Sequence, residues 1–154
     1  MKKWTRFLIF PAIALAVGGL SAWLTHDAMG AYETVNKPPL TPPGIVFPIV
    51  WTILFVLMGL GMALVWEQDG PLERQALGLW IAQLAMNFGW SLIFFNAQAY
   101  GFALIWLCLL WLLILAMTLT FYSVRPIAGL LQIPYLLWVA FAGYLNFAIW
   151  QLNP

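Results

Sequence analysis

Charged residues are scarce in this chain of 154 residues: aspartate, glutamate, lysine and arginine together make up 7% of it. Soluble domains carry about 25% charged residues, so this shortage excludes an ordinary water-soluble globule. The formal net charge is only +1, which provides neither a basic field for nucleic acid nor an acidic tail. No nucleic-acid partner is therefore expected.

Cysteine and histidine are almost absent. Cys108 is the only cysteine and His26 the only histidine. A single cysteine excludes a disulfide within the chain, and the two residues together supply too few ligands for a metal site of the His/Cys type. We therefore expect no metal and no required cofactor.

Apolar and aromatic residues fill the sequence instead. They make up 64% of the chain, which contains ten tryptophans. A helix needs roughly 20 mostly apolar residues to cross a bilayer. Charges and turn formers divide the chain into predicted spans at Trp4–Thr25, Gly44–Trp66, Gln75–Phe95, Tyr100–Tyr122 and Ile127–Trp150. The sequence thus predicts an all-α integral membrane protein, a bundle of five transmembrane helices that forms a single domain over residues 1–154.

Positive charges predict the orientation of these spans. One side of a five-span topology carries Lys2, Lys3, Arg6, Arg74 and Arg125, and the other carries Lys37. Because cytoplasmic loops carry the excess of lysine and arginine, the N-terminus is predicted to be cytoplasmic, with the first loop and the C-terminus outside. This bias, with a short N-terminus that lacks a transit peptide, predicts a bacterial cytoplasmic membrane.

The first span allows more than one interpretation. A cleaved signal peptide is an alternative, although the apolar run is longer than the roughly 7–15 residues usual for one. Ala14, Gly18 and Ala22 are spaced i, i+4 and i+8. Such a ridge of small residues lets another helix approach closely, either in a dimer or within the bundle. Ordinary small residues facing lipid are an equal alternative.

Polar residues on the third span form the clearest candidate site. Gln83, Asn87, Trp90 and Ser91 are spaced i, i+4, i+7 and i+8, so they share one face of a helix. An amide in hydrocarbon is costly unless it is hydrogen-bonded. A single amide usually bridges neighbouring helices, but this four-residue stripe with an indole favours the wall of a cavity.

Two other spans have comparable faces. These consist of Trp51, Phe55 and Met58 in the second span and of Trp138, Ala142 and Asn146 in the fifth. Aromatic residues at helical spacing usually belong to a packed core. Three spans that each combine an indole with small or amide residues favour instead a pocket for a flat, largely apolar ligand.

A proline-rich segment, Tyr32–Pro48, follows the first span, and five prolines fall within eleven of its residues. Prolines at this density prevent a continuous helix and stiffen the backbone. A plain connector in a compact bundle needs only a few residues. The segment is therefore interpreted as a rigid lid over one end of the bundle.

The chain resembles the TspO/MBR family, the tryptophan-rich sensory proteins related to the mitochondrial translocator protein. The segments that carry the match are KPPLTPPGIVFPIVWTILFVLMG (Lys37–Gly59), QLAMNFGWSLIFF (Gln83–Phe95) and PYLLWVAFAGYLN (Pro134–Asn146). The resemblance implies a five-helix bundle, usually a homodimer in the lipid bilayer, whose first loop caps a ligand cavity. It also implies binding of a porphyrin such as protoporphyrin IX.

The resemblance also implies roles for particular residues. Trp51 and Trp138 match two cavity tryptophans to which light- and oxygen-dependent breakdown of protoporphyrin is attributed in some bacterial members. Positions that line the family's cavity match Phe55, Asn87, Trp90, Ser91 and Ala142. Tyr32 matches an aromatic of the first loop, and Cys108 is expected to face the same cavity from the fourth span.

Several positions depart from the family pattern. Leu40 stands where the family loop typically has tryptophan, and Phe55 where many relatives have tyrosine. The animal proteins carry a cholesterol-recognition pattern in the last span, whereas this chain has Phe147, Ala148 and Gln151 in its place. Cholesterol binding is therefore not expected.

Three functions remain open from the sequence. The first is porphyrin binding for tetrapyrrole or oxidative-stress sensing, and the second is photo-oxidation of the bound porphyrin through its indole neighbours. No pair of catalytic carboxylates and no nucleophile with its base is recognisable, so an enzymatic role rests on the resemblance alone. The third is carrier-type transport, for which neither an internal repeat nor a charge deep in a span gives support.

Overall fold

The computed structural model describes residues 4–67 and 70–154, and it contains helices and turns but no strand in these ranges. The helices are α1 (Arg6–Thr25), α2 (Met29–Thr34), α3 (Val46–Trp66), α4 (Glu73–Ser91), α5 (Tyr100–Val124), α6 (Pro126–Leu130) and α7 (Ile133–Leu152). A 3-10 turn, His26–Ala28, joins α1 to α2, and a π-helical turn, Leu92–Asn96, extends α4. The all-α prediction is confirmed for the described residues.

Five stretches of the described chain are long and apolar enough to cross a membrane. They are Arg6–Thr34, Val46–Trp66, Glu73–Asn96, Tyr100–Val124 and Pro126–Leu152. The predicted spans are thus confirmed in number and order, although their ends differ. Lys2 and Lys3, which contribute to the predicted orientation, lie outside the described residues, as do Gln68 and Asp69 between α3 and α4.

The outer surface of the bundle is rich in large apolar side chains. Leu8, Ile53, Leu112 and Leu137, each on a different helix, are all more than half exposed. A water-soluble monomer rarely exposes apolar area on this scale. This surface suits contact with hydrocarbon, as the span lengths indicate.

The first predicted loop is shorter than the sequence suggests. Helical structure continues through α2, so Tyr32 lies on a helix rather than in the loop. The chain becomes extended only at Val35, shortly before the first proline pair, Pro38 and Pro39. Proline fixes its own backbone and disfavours helix at the residue before it. The non-helical part of the loop therefore spans residues 35–45.

The fifth span, predicted over 127–150, consists of two helices, α6 and α7, in the structure. Helix α6 ends at Leu130 and α7 begins at Ile133, so that Pro134 lies in the first turn of α7. A proline there lacks only an N–H that would have no partner anyway, whereas inside a continuous helix it would remove a hydrogen bond. At this break the Gln132 Nε2 donates to the Leu57 carbonyl on α3 at 3.0 Å.

Helices α1 and α3 pack closely through small residues. A Cβ added to Gly59 would lie 2.3 Å from the Pro11 Cα, so the two backbones are in direct contact. Ala14 is fully buried, and a Cβ on Gly18 would meet the Phe55 ring. The ridge of small residues in the first span therefore serves, at Ala14 and Gly18, as a seam within the bundle.

One end of the bundle, hereafter the loop end, brings together the first loop and the chain's C-terminus. The Asn36 backbone N–H donates to Asn153 Oδ1 at 3.1 Å, and Asn153 Nδ2 donates to the Asn36 carbonyl at 2.8 Å. Asn96 Nδ2 donates to the Leu24 carbonyl at 3.1 Å, which joins the end of α4 to the end of α1. These polar contacts hold the start of the loop against the bundle.

The opposite end carries the arginines. Arg6 Nη1 donates to the Trp66 carbonyl at 3.1 Å, and Arg125 forms an ion pair with Glu67 at 3.3 Å. Both contacts link the end of α3 to another helix.

A cavity lined by aromatic residues

A cavity of about 680 Å³ lies between the helices at the loop end. Nine of the eleven predicted site residues line it, namely Tyr32, Trp51, Phe55, Asn87, Trp90, Ser91, Trp138, Ala142 and Asn146. Residues of α1 and of the first loop complete the lining, among them Gly18, Ser21, Lys37, Thr41 and Pro42. The structure thus brings together faces of the second, third and fifth spans that the sequence could only place separately.

Aromatic rings on α3 and α7 form one side of the cavity. The Trp51 and Phe55 rings lie 5.7 Å apart between centroids, and Trp51 meets Tyr135 edge-on at 6.2 Å. Phe47, one turn before Trp51, contacts Trp138 edge-on at 5.8 Å. These spacings fall in the range of about 4.5–7 Å over which aromatic pairs attract each other.

A second aromatic group comes from α4 and its π-helical turn. Trp90 stacks on Phe94 at 5.0 Å, and Phe95 meets Tyr32 of α2 edge-on at 5.3 Å. A π turn widens the helix and is frequent at functional sites. Here it allows the consecutive residues Phe94 and Phe95 both to line the cavity.

Asn146 both lines the cavity and bridges three helices. Trp90 Nε1 donates to Asn146 Oδ1 at 3.0 Å, and Asn146 Nδ2 donates to the Tyr100 carbonyl at 2.8 Å. The two interpretations of buried amides, helix bridging and cavity lining, are therefore compatible at this residue. The bridge fixes the Trp90 ring relative to α5 and α7.

A chain of hydrogen bonds runs below the floor of the cavity. Asn87 Nδ2 donates to the Tyr135 hydroxyl at 2.7 Å, and this hydroxyl donates to Gln83 Oε1 at 2.7 Å. Gln83 Nε2 in turn donates to the Trp80 carbonyl at 2.9 Å. Gln83 is fully buried and does not line the cavity, so it takes the helix-bridging role instead.

Cys108 lies away from the cavity, which corrects its expected position. Its side chain is exposed on the outer face of α5, whereas Leu107 and Leu110 face the interior. Neighbouring residues on a helix point about 100° apart, which follows from 3.6 residues per turn. The inward face of α5 thus includes Leu107 and Leu110 and leaves Cys108 on the outer face.

Lys37 supplies a positive charge to the cavity lining near the loop. Its Nζ donates to the carbonyls of Glu33 and Val35 at 3.0 and 3.3 Å and lies 4.8 Å from the centroid of the Tyr32 ring. Attraction between an ammonium group and an aromatic face stabilises such a position. The lysine is thereby held where an anionic group of a ligand could reach it.

Several aromatic residues at or next to the cavity were not predicted from the sequence. Phe47 stands four residues before Trp51 and Phe94 four after Trp90, so helical spacing alone is sufficient to place both on the cavity faces. Tyr135 falls inside the matched segment Pro134–Asn146, but its partners Asn87 and Gln83 lie on another helix. No spacing rule within one span reveals such a pairing.

Other tryptophans bind helices together outside the cavity lining. Trp80, Trp106 and Trp111 each donate Nε1–H to a backbone carbonyl of a neighbouring helix, at 3.1, 2.7 and 3.0 Å. A buried indole usually finds such a partner for its N–H. Some tryptophans of the chain therefore join helices to one another, and others line the cavity.

Known proteins share this pattern along nearly the whole chain. The model of the TspO/MBR family matches residues 8–151. The Tryptophan-rich protein TspO of Chlorobaculum tepidum is 43% identical over 145 residues, which cover 92% of each chain. The Tryptophan-rich sensory protein of Cereibacter sphaeroides is 37% identical over 97% of this chain and 92% of its own. The Translocator protein of Homo sapiens is 37% identical over 96% of this chain and 88% of its own.

Proposed function

Because the chain belongs to the TspO/MBR family and is an integral membrane protein, we propose that its cavity binds a flat tetrapyrrole such as protoporphyrin IX. Occupancy of this cavity would report the tetrapyrrole or oxidative state of the cell. The names of two relatives, a sensory protein and a translocator protein, agree with ligand recognition in general. The choice of a porphyrin is what the resemblance to the family implies, and the aromatic cavity walls support it.

The observation that carries the proposal is the aromatic lining of a cavity of suitable size. At about 680 Å³, the cavity falls within the roughly 300–1,000 Å³ typical of small-molecule sites. Trp51, Trp90 and Trp138 reach it from three different helices. Indole faces attract flat π systems, which a macrocycle offers over a large area.

Residues 35–45 supply the lid of the proposed site. Thr41, Pro42 and Gly44 line the cavity, and the Asn36–Asn153 hydrogen bonds hold the start of the loop to α7. The proline-rich backbone between these points loses little entropy when it is ordered. The loop is therefore suited to close the cavity without having to fold when a ligand arrives.

Lys37 is the proposed partner of a porphyrin carboxylate. An ammonium group has three N–H donors, and two of the Lys37 contacts are to carbonyls. The third donor remains for a carboxylate at the mouth of the cavity. A charge-assisted hydrogen bond of this kind is roughly twice as strong as a neutral one.

Titration of the detergent-purified protein with protoporphyrin IX, followed by tryptophan fluorescence, tests the proposal. We expect saturable quenching, and about a tenfold weaker affinity for the double variant Trp51→Phe/Trp138→Phe because two aromatic contacts shrink. Trp4→Phe is the matched control, since Trp4 is 61% exposed and belongs to the opposite end of the bundle. Quenching that does not saturate, or that is the same in all three proteins, would refute the proposal.

A second candidate function is photo-oxidation of the bound porphyrin by dioxygen. The observation in its favour is that Trp51 and Trp138, both oxidisable indoles, line the same cavity. Illumination of the complex in air, with and without the double Trp→Phe change, separates the two functions. Loss of the porphyrin absorbance that depends on these indoles supports the second candidate; an unchanged spectrum leaves binding alone.

A further inference from the structure

We propose that the cavity exchanges its ligand with the hydrocarbon of the membrane through a groove between α3 and α7, and that the Trp138 side chain is the gate of this passage. The ligand is the flat, largely apolar molecule of the proposed function, on which this inference rests and to which it adds a route of entry.

The groove, hereafter the α3–α7 groove, lies on the outer side of the bundle and has a volume of about 460 Å³. All the residues that line it are apolar or aromatic, namely Val50, Ile53 and Leu54 of α3 and Pro134, Leu137, Trp138 and Phe141 of α7. Ile53 and Leu137 are 53% and 67% exposed, whereas Leu54 is only 2% exposed. The groove therefore opens toward the surface that suits contact with hydrocarbon and extends inward from there.

A single side chain separates the groove from the cavity. Within the described ranges, Trp138 is the one residue that lines both spaces. Close backbone packing does not seal this side of the bundle, because α3 packs on α1 and α7 packs on α5 rather than on each other. Aromatic rings bridge α3 and α7 instead, Phe47 with Trp138 and Trp51 with Tyr135. A passage between these two helices thus requires side chains, and not helices, to move.

The Trp138 ring lacks the hydrogen bond that fixes other indoles of the bundle. Four of these donate their N–H to an acceptor on a neighbouring helix, namely Trp80, Trp90, Trp106 and Trp111. Trp138 Nε1 is buried but has no acceptor among the described residues. An unsatisfied buried donor destabilises the closed position of the ring. A change of rotamer breaks no hydrogen bond of the indole and costs only its ring contacts, with Phe47 at 5.8 Å and with Phe141 at 5.6 Å between centroids.

The loop end, the other route to the cavity, is fastened by polar contacts. The Asn36 backbone N–H and carbonyl both bond to the Asn153 side chain, at 3.1 and 2.8 Å, and Lys37 Nζ bonds to the Glu33 carbonyl at 3.0 Å. Release of the loop breaks the Asn36–Asn153 bonds, whereas rotation of Trp138 breaks none. A flat apolar molecule also prefers hydrocarbon to water. It therefore reaches the protein on the side where the groove opens.

Exchange of fluoropyrene between the bilayer and the cavity tests the gate. This probe is flat and apolar, and it has no carboxylate, so its binding does not depend on Lys37. Fluorine exchange NMR spectroscopy of the protein in phosphatidylcholine nanodiscs measures the rate constants of entry and exit at equilibrium. We expect separate resonances for the probe in the bilayer and the probe in the cavity, connected by exchange.

Removal of the gate should accelerate entry. In Trp138→Ala the rate constant of entry should rise about tenfold, because the two ring contacts that hold the gate closed are lost. If Trp138 were only a wall of the cavity, its loss would speed exit and leave entry unchanged. Trp51→Ala is the matched control, since Trp51 lines the cavity but not the groove. This control should weaken binding through faster exit alone.

Obstruction of the groove should have the converse effect, and the single cysteine, Cys108, makes a selective label practicable. In the Cys108→Ser background, Leu137→Cys is labelled with N-benzylmaleimide at a position that lines the groove but not the cavity. Entry and exit should both slow about tenfold, so that the equilibrium affinity stays the same. The same label on Cys108 of the unsubstituted protein, on the outer face of α5, should change neither rate.

Several results would overturn the gate. They are an entry rate that is the same in Trp138→Ala as in the unsubstituted protein, an entry rate that the label on Leu137→Cys leaves unchanged, and the absence of any bound fluoropyrene. Faster entry in Asn153→Ala, together with no effect of the groove label, would place the route at the loop end instead. Thermal unfolding verifies that each variant retains the bundle, and the label on Leu137→Cys decides the matter if Trp138→Ala does not fold.

A separate titration with protoporphyrin IX distinguishes this inference from the proposed function. If fluoropyrene exchanges through the groove and protoporphyrin IX does not bind, the gate is supported and only the tetrapyrrole is refuted. If protoporphyrin IX binds and the groove label changes no rate, the proposed function stands and the gate is refuted.

Discussion

Gly18 and Gly19 are consecutive residues of α1 with different surroundings, and alanine should weaken ligand binding at Gly18 but not at Gly19. A Cβ at Gly18 would lie 2.3 Å from Phe55 Cε2, whereas a Cβ at Gly19 meets nothing within 4 Å. Gly18 and Phe55 both line the cavity. Gly18→Ala therefore forces the Phe55 ring to move, and the space beside the ring is the cavity itself.

The size of the effect follows from the required displacement. The nearest ring atom has to retreat from 2.3 Å to at least 3.4 Å, where ordinary van der Waals contact begins. Intruding on a filled space costs about 1–3 kcal/mol, as overpacked cores show. We therefore expect the dissociation constant for protoporphyrin IX to rise about tenfold to a hundredfold in Gly18→Ala. Replacing either glycine by alanine also stabilises the helix by about 1 kcal/mol. This contribution is the same in both variants, so it does not affect the difference between them.

Tryptophan quenching by protoporphyrin IX measures this difference, with thermal unfolding as a check on the fold. Gly19→Ala should bind as the unsubstituted protein does. The double variant Gly18→Ala/Phe55→Leu should recover part of the affinity, because a smaller side chain leaves room for the new methyl group; a coupling of this kind is expected only between residues in contact. Equal dissociation constants for the two single alanine variants would refute the steric reasoning.

Three further changes test other parts of the structure. Gly59→Ala should lower the free energy of unfolding by at least about 1–3 kcal/mol in a detergent denaturation series, because the backbone of Pro11 cannot yield to the new Cβ; a melt equal to that of the unsubstituted protein would contradict the close α1–α3 contact. Asn146→Leu should cost about 1–3 kcal/mol in the same assay, since it leaves the Trp90 N–H buried without an acceptor, and a loss below about 1 kcal/mol would show that this bridge is dispensable. Cys108→Ser should leave the protoporphyrin affinity unchanged because Cys108 is exposed on the outer face of α5, and a weakened affinity in the titration would place this residue back at the cavity.

The spans and most of the cavity faces are predictable from the sequence because they depend on one-dimensional patterns. Apolar length predicts the spans, and helical spacing predicts that Asn87, Trp90 and Ser91 share a face. Helical spacing does not specify which turns of a helix lie level with the cavity. Gln83 shares that face but lies one turn below the cavity, covered by Tyr135 from another helix.

The outward position of Cys108 could not be predicted from the sequence, for a related reason. Helix α5 is apolar on all sides, so no polar stripe marks which face points inward. In a water-soluble protein, charged residues mark the exposed face of a helix. In a membrane-spanning helix, the face toward lipid and the face toward the bundle are both apolar. The inward face of α5 is decided by packing against α4 and α7, which only the three-dimensional structure reveals.

Indoles that donate to backbone carbonyls of neighbouring helices help to hold the helices of this chain together. With one cysteine and 7% charged residues, the protein has no internal disulfide and few ions with which to join its helices. Trp80, Trp106 and Trp111 join them by hydrogen bonds, for which no water competes in the hydrocarbon region. They act as reversible cross-links that can form after each helix has inserted separately. The abundance of tryptophan in this protein thus reflects the assembly of the bundle as much as the ligand that it encloses.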